Sequence, residues 1–409
     1  MNSDCLDSDR DVVIVGAART PIGSFGGSLS QIPATKLGSI AIEGALEKAG
    51  VAPEDVDACY MGNVCSAGLG QAPARQAALG AGLSSSCVCT TINKVCSSGM
   101  KSVSLAAQDI MLGHADIVVA GGMESMSNVP YYIPQARFGY RMGNAQLVDG
   151  LVYDGLFDPY GQEHMGLCAE KCSSRYSISR EEQDEYALKS YRRSIAAWKE
   201  SKFNPEIVPV LAKVGEKDIN VQQDEECFRI DLSTIRAMRP AFVKDGTGTV
   251  TSGNASGLND GAAALVLTSR ARAIKLGLPI LATIRAFADA EQDPEQFTTA
   301  PSKSIPKAME RAGVRLEAVD VFEVNEAFSV VALANSQLLA LPEEKLNVFG
   351  GAVSLGHPLG CSGARILVTM LNIMNDQKAR IGVAGICNGG GGSTAVVLER
   401  QTVSNSASL

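Results

Sequence analysis

The run Asn93-Lys94-Val95-Cys96-Ser97-Ser98-Gly99-Met100-Lys101 sets a cysteine just ahead of a small-residue turn. Beyond it Met100, Val103, Ala107, Ile110 and Met111 recur at helical spacing. The spacing predicts a helix whose N-terminus lies beside the Cys96 sulfur. Unpaired backbone N–H groups and the positive end of the helix dipole favour a thiolate there. A thiolate attacks carbonyl carbon; the alternative for a single cysteine before a helix is a buried structural thiol.

A thiol nucleophile needs a base. The chain has 3 histidines, His114, His164 and His357. His114, in Leu112-Gly113-His114-Ala115, reads as a surface turn between a helix and a strand. His357 lies between Gly356 and Pro358, in a loop rich in glycine. Such a loop presents an imidazole with little steric hindrance, either as a catalytic base or as an ordinary loop histidine. Asn325 falls where the strand Val321-Phe322-Glu323-Val324 ends and a helix begins. Its amide either caps that helix or holds a water or an oxyanion. Cys387 follows the apolar run Val383-Ala384-Gly385-Ile386 and precedes the glycines at 389–392. Bare glycines after a strand expose N–H groups suited to an oxyanion, and no Lys with Ser/Thr stands at P-loop spacing.

His164, Cys168 and Cys172 are spaced i, i+4, i+8, one face of a helix if the helix begins that early. Soft ligands on one face suit zinc, but no fourth ligand and no Cys-x-x-Cys accompanies them. A half-buried helix face is the simpler reading, and no metal site is assigned.

These residues need a scaffold. At 409 residues the chain exceeds one ordinary domain core, and 45% apolar with 20% charged residues marks a globular protein. The net charge of -8 gives no basic footprint for nucleic acid, leaving room for a local basic patch that would meet a phosphate-bearing cofactor. The 11 cysteines are odd in number and scattered from Cys5 to Cys387. They form no disulfide framework, which points to a reducing compartment, the cytoplasm. Met1 to Asp11 is acidic and carries neither a signal-peptide core nor a transit-peptide pattern. No apolar run reaches membrane-spanning length, so no membrane partner is expected. The C-terminal Ala-Ser-Leu lacks the basic middle residue of the peroxisomal Ser-Lys-Leu address.

The chain reads as two halves of one pattern. Val12–Val15 reads as a buried strand, the stretch from Gly16 to Pro21 as a turn, and Lys36 to Ala49 as a helix. Ala49-Gly50-Val51, with Asp57 beyond, recurs as Ala312-Gly313-Val314 with Asp320. In nearly the same register Ser98-Gly99 recurs as Ser362-Gly363, and the segment at 115–121 as that at 379–385. We read an internal duplication of a βα-rich unit. The last strand breaks the register: 261–267 resembles 392–398, so the first half carries extra residues between about Ser127 and Leu258. That segment holds the only Trp, Trp198, and a charged helix from about Arg180 to Lys199. It reads as an inserted subdomain, a lid or ligand-binding cap. The expected division is 1–127 completed by 259–279, then 128–258, then 280–409. Ligands collect at strand carboxyl ends, so Cys96 from one half would share a site with Asn325, His357 and Cys387 from the other.

The setting of Cys96, Asn325-Glu326-Ala327-Phe328, Gly356-His357-Pro358 and Cys387-Asn388-Gly389-Gly390-Gly391 resemble the active-site blocks of the thiolases. The segments 121–127 and 253–261 are also similar to that family, and the resemblance runs from about Asp11 to Glu399. It implies an α/β thiolase fold layered αβαβα, with coenzyme A thioesters as substrates and no tightly bound cofactor. It implies that Cys96 takes the acyl group, that His357 deprotonates it, and that Cys387 moves the proton at the substrate α-carbon. Asn325 would hold a water that forms one oxyanion hole with His357; the Cys96 and Gly389 N–H groups would form the other. The chemistry is a Claisen condensation split in two by a covalent acyl-enzyme.

The resemblance also bears on the substrate. His164-Met165-Gly166 is similar to the loop of acetoacetyl-CoA thiolases, which crowds the acyl pocket toward acetyl-CoA and acetoacetyl-CoA. Phe297, Ala327 and Phe328 would help wall that pocket. Thr298 stands where a form tolerant of 2-methyl branches has Pro, which argues against branched chains. Ser256 would hydrogen-bond the pantetheine, Ser252 replaces a common Ala nearby, and Arg229 is a candidate phosphate contact. Such chains assemble as dimers or tetramers. The competing readings are a 3-ketoacyl-CoA thiolase of broader chain length and a non-catalytic acyl-CoA binder.

Overall fold

The structure is a computed structural model that describes residues 11–401. The two terminal stretches weighed above as targeting signals, and Cys5, lie outside the described residues apart from Asp11.

The first half runs Val12–Arg19 (β1), Ala34–Ala49 (α1), Ala58–Gly62 (β2), Pro73–Gly80 (α2), Val88–Ile92 (β3), Ser98–Leu112 (α3) and Ile117–Ser125 (β4). The intervening segment adds Met165–Tyr176 (α4) and Arg180–Lys199 (α5), and Asn259–Ser269 (β5) completes the half. The second half repeats the scheme with Ala282–Glu291 (β6), Pro301–Ala312 (α6), Val321–Val324 (β7) and Ser329–Leu339 (α7). Leu359–Asp376 (α8), Ile381–Asn388 (β8) and Gly392–Glu399 (β9) end it.

Strand order is β7-β8-β9-β6-β1-β5-β4-β2-β3. Outward from the central β6–β1 pair, equivalent strands mirror one another: β1, β5, β4, β2 on one side and β6, β9, β8, β7 on the other. Among the described residues the halves meet in the sheet only at Val13↔Thr283 and Ile14↔Ala282. β2 and β7 run parallel to β4 and β8, respectively, whereas β5 and β9 are antiparallel to their neighbours. The duplication read from the sequence is therefore the plan of the sheet.

Side-chain alternation on each strand feeds two different cores. On β5, Ala263, Leu265 and Leu267 join α3 and α8 in a central cluster, while Ala262, Ala264 and Val266 pack with α1 and α2. On the far side α6 supplies Ile305, Ala308 and Met309 against Phe322, Val383 and Val397. Burial of both strand faces explains why these strands read as unbroken apolar runs. The result is helix, sheet, helix, sheet, helix.

Within the central layer α3 and α8 touch backbone to backbone. A Cβ on Gly363 would lie 2.4 Å from the Met100 nitrogen, and one on Gly99 2.8 Å from the Ala364 nitrogen. The repeated Ser-Gly pair is thus a steric requirement of the crossing. The segment between β4 and β5 also reaches this layer: Ala187, Leu188, Tyr191 and Trp198 of α5 belong to its cluster.

Two local expectations need correction. The stretch read as a turn after Val15 continues as strand through Arg19, because Gly16 to Arg19 pair with Val266 to Ala263 beyond an irregularity at Val15. Gly16 is there for packing, since a Cβ would lie 2.3 Å from the Ala45 carbonyl oxygen. Asn325 does not cap a helix, since α7 starts at Ser329 and its cap position is Phe328.

Candidate active site

Cys96 precedes α3, whose cap residue is Ser97. The turn is tight: Val95 has φ 47, left-handed backbone that a β-branched residue adopts only at a cost of about 1–3 kcal/mol. Ser98 holds it there, its Oγ donating to the Val95 carbonyl at 2.5 Å and accepting from the Lys94 N–H at 2.8 Å. Ser97 Oγ in turn donates to Asn388 Oδ1 at 2.8 Å. Asn388 ends β8, so a strand of the second half fixes the helix start of the first.

The reciprocal brace exists. Glu124, on β4 of the first half, accepts the Gly360 N–H at the start of α8 at 2.8 Å, along with the N–H groups of Val64 and Cys65. His357 stands just before that helix. Its backbone N–H donates to Asn259 Oδ1 at 2.9 Å. Gly356 sits at φ +109, where a Cβ would strike the Asn259 side chain, so glycine is required there.

The imidazole state follows from its partner. His357 Nδ1 lies 2.6 Å from Ser362 Oγ, and that hydroxyl gives its one proton to the Pro358 carbonyl at 2.9 Å. Ser362 must therefore accept from Nδ1–H, which leaves the lone pair on Nε2. Nε2 is buried without a partner. Burial, reinforced by the nearby Arg365 charge, pushes the His357 pKa down to about 3. The residue is a neutral base with its acceptor nitrogen free.

Cys96 departs from the thiolate expectation. Burial pushes its thiol up to about 12, although the backbone N–H groups of Gly389 and of Cys96 itself favour the thiolate and pull the other way. Desolvation outweighs the helix end because the sulfur is cut off from water. Cys387, fully buried near the end of β8, is pushed up, chiefly by burial and further by the electrostatic influence of Cys96 were both to ionise. Asn325 is fully buried, and neither its amide oxygen nor its nitrogen has a partner.

A pocket of about 310 Å³ opens onto this group. Cys96, His357, Gly389, His164, Met165, Ser256, Phe297, Ala327 and Phe328, all singled out from sequence, line it. Cys387 and Asn325 are not on its surface; Cys387 packs with Phe297 and Phe328 behind the wall. Ser252 and Arg229 are exposed and away from the lining. Ser256 Oγ donates to the Ala327 carbonyl at 2.8 Å.

His164 is the cap residue of α4, not part of its face. Its Nδ1 accepts the Gly166 N–H at 3.0 Å, and its ring stacks on Phe242 with centroids 4.7 Å apart. Nε2 therefore carries the proton, and burial lowers its pKa. His164, Cys168 and Cys172 do not converge as ligands; the cluster found instead is Asp158, Glu163 and Cys168. Sequence reading missed Met126, Leu156, Phe242, Leu258 and Leu359 in the lining, and Ser362 behind His357. Ser362 left a signal as the second copy of the Ser-Gly pair, and Met126 and Leu258 lie in the family-like segments 121–127 and 253–261; Leu156, Phe242 and Leu359 left none.

Taken together, the doubled α/β layers with a cysteine–imidazole pocket at their seam are those of an acyltransferase. Models of the thiolase N-terminal and C-terminal domains match residues 12–271 and 278–400. The chain is 58% identical to acetyl-CoA acetyltransferase 1 of Arabidopsis thaliana over 95% of its own length and 94% of that protein. It is 55% identical to acetyl-CoA acetyltransferase of Schizosaccharomyces pombe, over 96% and 99%. The crystal structure of Acat5 thiolase from Ascaris suum in complex with coenzyme A superposes with a TM-score of 0.91 at 43% identity, covering 96% of this chain and all of that one. The chain belongs to the thiolase family.

Proposed function

We propose that the protein is an acetyl-CoA C-acetyltransferase, interconverting two acetyl-CoA with acetoacetyl-CoA plus CoA. Relatives carrying that name support the activity. One observation carries the residue assignment: the unpartnered Nε2 of a neutral His357, Cys96 and Gly389 line the same pocket. In this reading Cys96 attacks the thioester carbonyl as His357 takes its proton. The carbonyl oxygen becomes the oxyanion at the Cys96 and Gly389 N–H groups, and CoA leaves with a proton from His357. For condensation, neutral His357 takes the Cys387 proton, and the resulting Cys387 thiolate removes a proton from the α-carbon of the second acetyl-CoA. The enolate oxygen then accepts from the protonated His357 Nε2 and an Asn325-bound water, the carbanion attacks the acetyl-Cys96 carbonyl, and as the C–S bond to Cys96 breaks His357 returns a proton to its sulfur.

The buried Asn325 amide, lacking protein partners, suits a water ligand. Crowding by Met165, Phe297 and Phe328 in a pocket of about 310 Å³ favours the short chain over a broad-chain thiolase. Ser256 faces the pantetheine. Arg229 and Ser252 remain the more distant candidates, on the surface a nucleotide would cross. Residues 128–258 form the CoA-binding insert between the first half, 1–127 with 259–279, and the second, 280–409. The protein works as a homo-oligomer in the cytoplasm, needs no tightly bound cofactor, and engages neither nucleic acid nor membrane. Among the described residues no helix is long and apolar enough to cross a membrane.

Mass spectrometry after incubation with acetyl-CoA tests the assignment. An acetyl adduct is expected on Cys96 in the native chain and in Cys387→Ala, which then barely condenses, and none in Cys96→Ala. No adduct in the native chain would leave only an acyl-CoA binder. Comparable cleavage of four- and sixteen-carbon 3-ketoacyl-CoAs would overturn the short-chain reading.

A further inference from the structure

Three cysteines lie together outside the active site. Cys59 on β2 and Cys89 on β3 are directly opposite residues of two parallel strands, and Cys87 immediately precedes β3. Neighbouring strands run about 4.7–4.9 Å apart, inside the Cα separation a disulfide spans. Cys87 and Cys89 are two apart on an extended chain, at about 6.6 Å, the far end of that range. Cys89 is partly exposed and lies on the edge strand of the sheet, whereas Cys59 and Cys87 are buried. The Arg75 guanidinium from α2 lies 3.9 Å from the Cys89 sulfur and is anchored on the Cys87 and Ser85 carbonyls at 2.6 and 2.7 Å.

We infer that Cys59 and Cys89 form a peroxide-reactive dithiol, with Cys89 the attacking sulfur and Cys59 the resolving one. The neighbouring Cys59 and Cys87 thiols and then the Arg75 cation favour a negative sulfur at position 89 and pull its pKa below the ordinary thiol value, against burial; in the thiol form that sulfur donates to the Cys87 carbonyl at 3.4 Å. The opposite holds for Cys96, which is buried and protonated. The Cys89 thiolate attacks one peroxide oxygen: an S–O bond forms, the O–O bond breaks, and hydroxide leaves to become water. Cys59 then attacks the sulfenic sulfur. An S–S bond forms, the S–O bond breaks, and the Cys59 proton leaves with the departing hydroxide as a second water. Two thiols lose two electrons and hydrogen peroxide takes them. Because β3 runs directly into the turn that carries Cys96, the bridge fastens the strand leading to the nucleophile.

Full-length protein, freed of reductant, is exposed to one equivalent of hydrogen peroxide, alkylated and digested without reduction. A cross-linked peptide pair holding Cys59 and Cys89 is expected, reversible by dithiothreitol and still formed in Cys87→Ser, with Cys96 free to accept acetyl. A Cys87–Cys89 bridge, a Cys89 that stops at sulfinic acid, or oxidation at Cys96 while Cys89 is alkylated would each overturn the assignment. Iodoacetamide labelling of Cys89 is expected to slow about tenfold in Arg75→Gln and to persist in Arg75→Lys; equal rates in native protein and Arg75→Gln would remove the cation from the scheme.

Discussion

Cys96 and His357 rest as a thiol and a neutral imidazole, not as an ion pair. Burial raises one to about 12 and lowers the other to about 3, so in the proposed reaction proton transfer belongs to the acylation step itself. Inactivation by iodoacetamide in the absence of substrate should therefore keep climbing with pH through 9. A plateau between pH 6 and 7 would mean a preformed thiolate. The same burial has a stability consequence. Between the folded pKa of about 3 and the ordinary 6.5, the unfolded chain binds a proton at His357 that the folded one refuses. That contribution to stability is complete above pH 6.5 and is lost as pH falls toward 3. Ser362 fixes which ring nitrogen is free. Ser362→Ala should lower kcat by roughly 10-fold to 100-fold with little change in KM, short of the ~10²–10⁴ that a whole general base contributes. A matching rise in KM would make Ser362 a pocket-shaping residue instead.

The two helices that launch these residues are placed by strands of the opposite half. Asn388 holds Ser97 ahead of α3, Glu124 holds Gly360 at the start of α8, and the glycines at 99 and 363 let the helices touch. Gly363→Ala would push a methyl to 2.4 Å from the Met100 nitrogen, which lies on backbone and cannot rotate away. Overpacking of this kind costs about 1–3 kcal/mol, and the displacement acts on Cys96 and His357 together. Urea unfolding should shift to lower midpoint, and acylation should fall further than stability alone explains. Unchanged acylation in the folded variant would show that the helix crossing does not set the site. β1 has its own anchor into the intervening segment. Arg19, fully buried, bonds Asp224 with two nitrogens at 2.7 and 2.9 Å and Glu206 at 2.5 Å. Arg19→Ala strands two buried carboxylates, a loss of roughly 3–5 kcal/mol, read as a lower melting temperature; a change under about 1 kcal/mol would mean water reaches the pair.

At the scale of the molecule, the doubling was legible because apolar runs and the Ser-Gly pair repeat in nearly constant register, and each repeated element must bury the same faces. The residues that meet at the pocket, Cys96, His357 and Gly389, were legible as candidates from their motifs. The protonation of Cys96 was not, because local spacing announces a helix end but not the burial that overrides it. Ser362 behind His357, Phe242 on His164 and the Glu124 brace depend on residues that meet only after the halves close. That closure sets the last expectation. The sheet joins the halves through two residue pairs, but α3 and α8 share one apolar cluster fed by strands of both halves. Cutting between residues 271 and 278 therefore leaves each piece with a helix layer open to water on its widest face. Each piece alone should be insoluble or should lack a cooperative unfolding transition, whereas co-expressed pieces should recover acylation of Cys96. A single piece that unfolds cooperatively by circular dichroism would establish that the halves are independent domains, with the active site a contact between them instead of a product of one shared core.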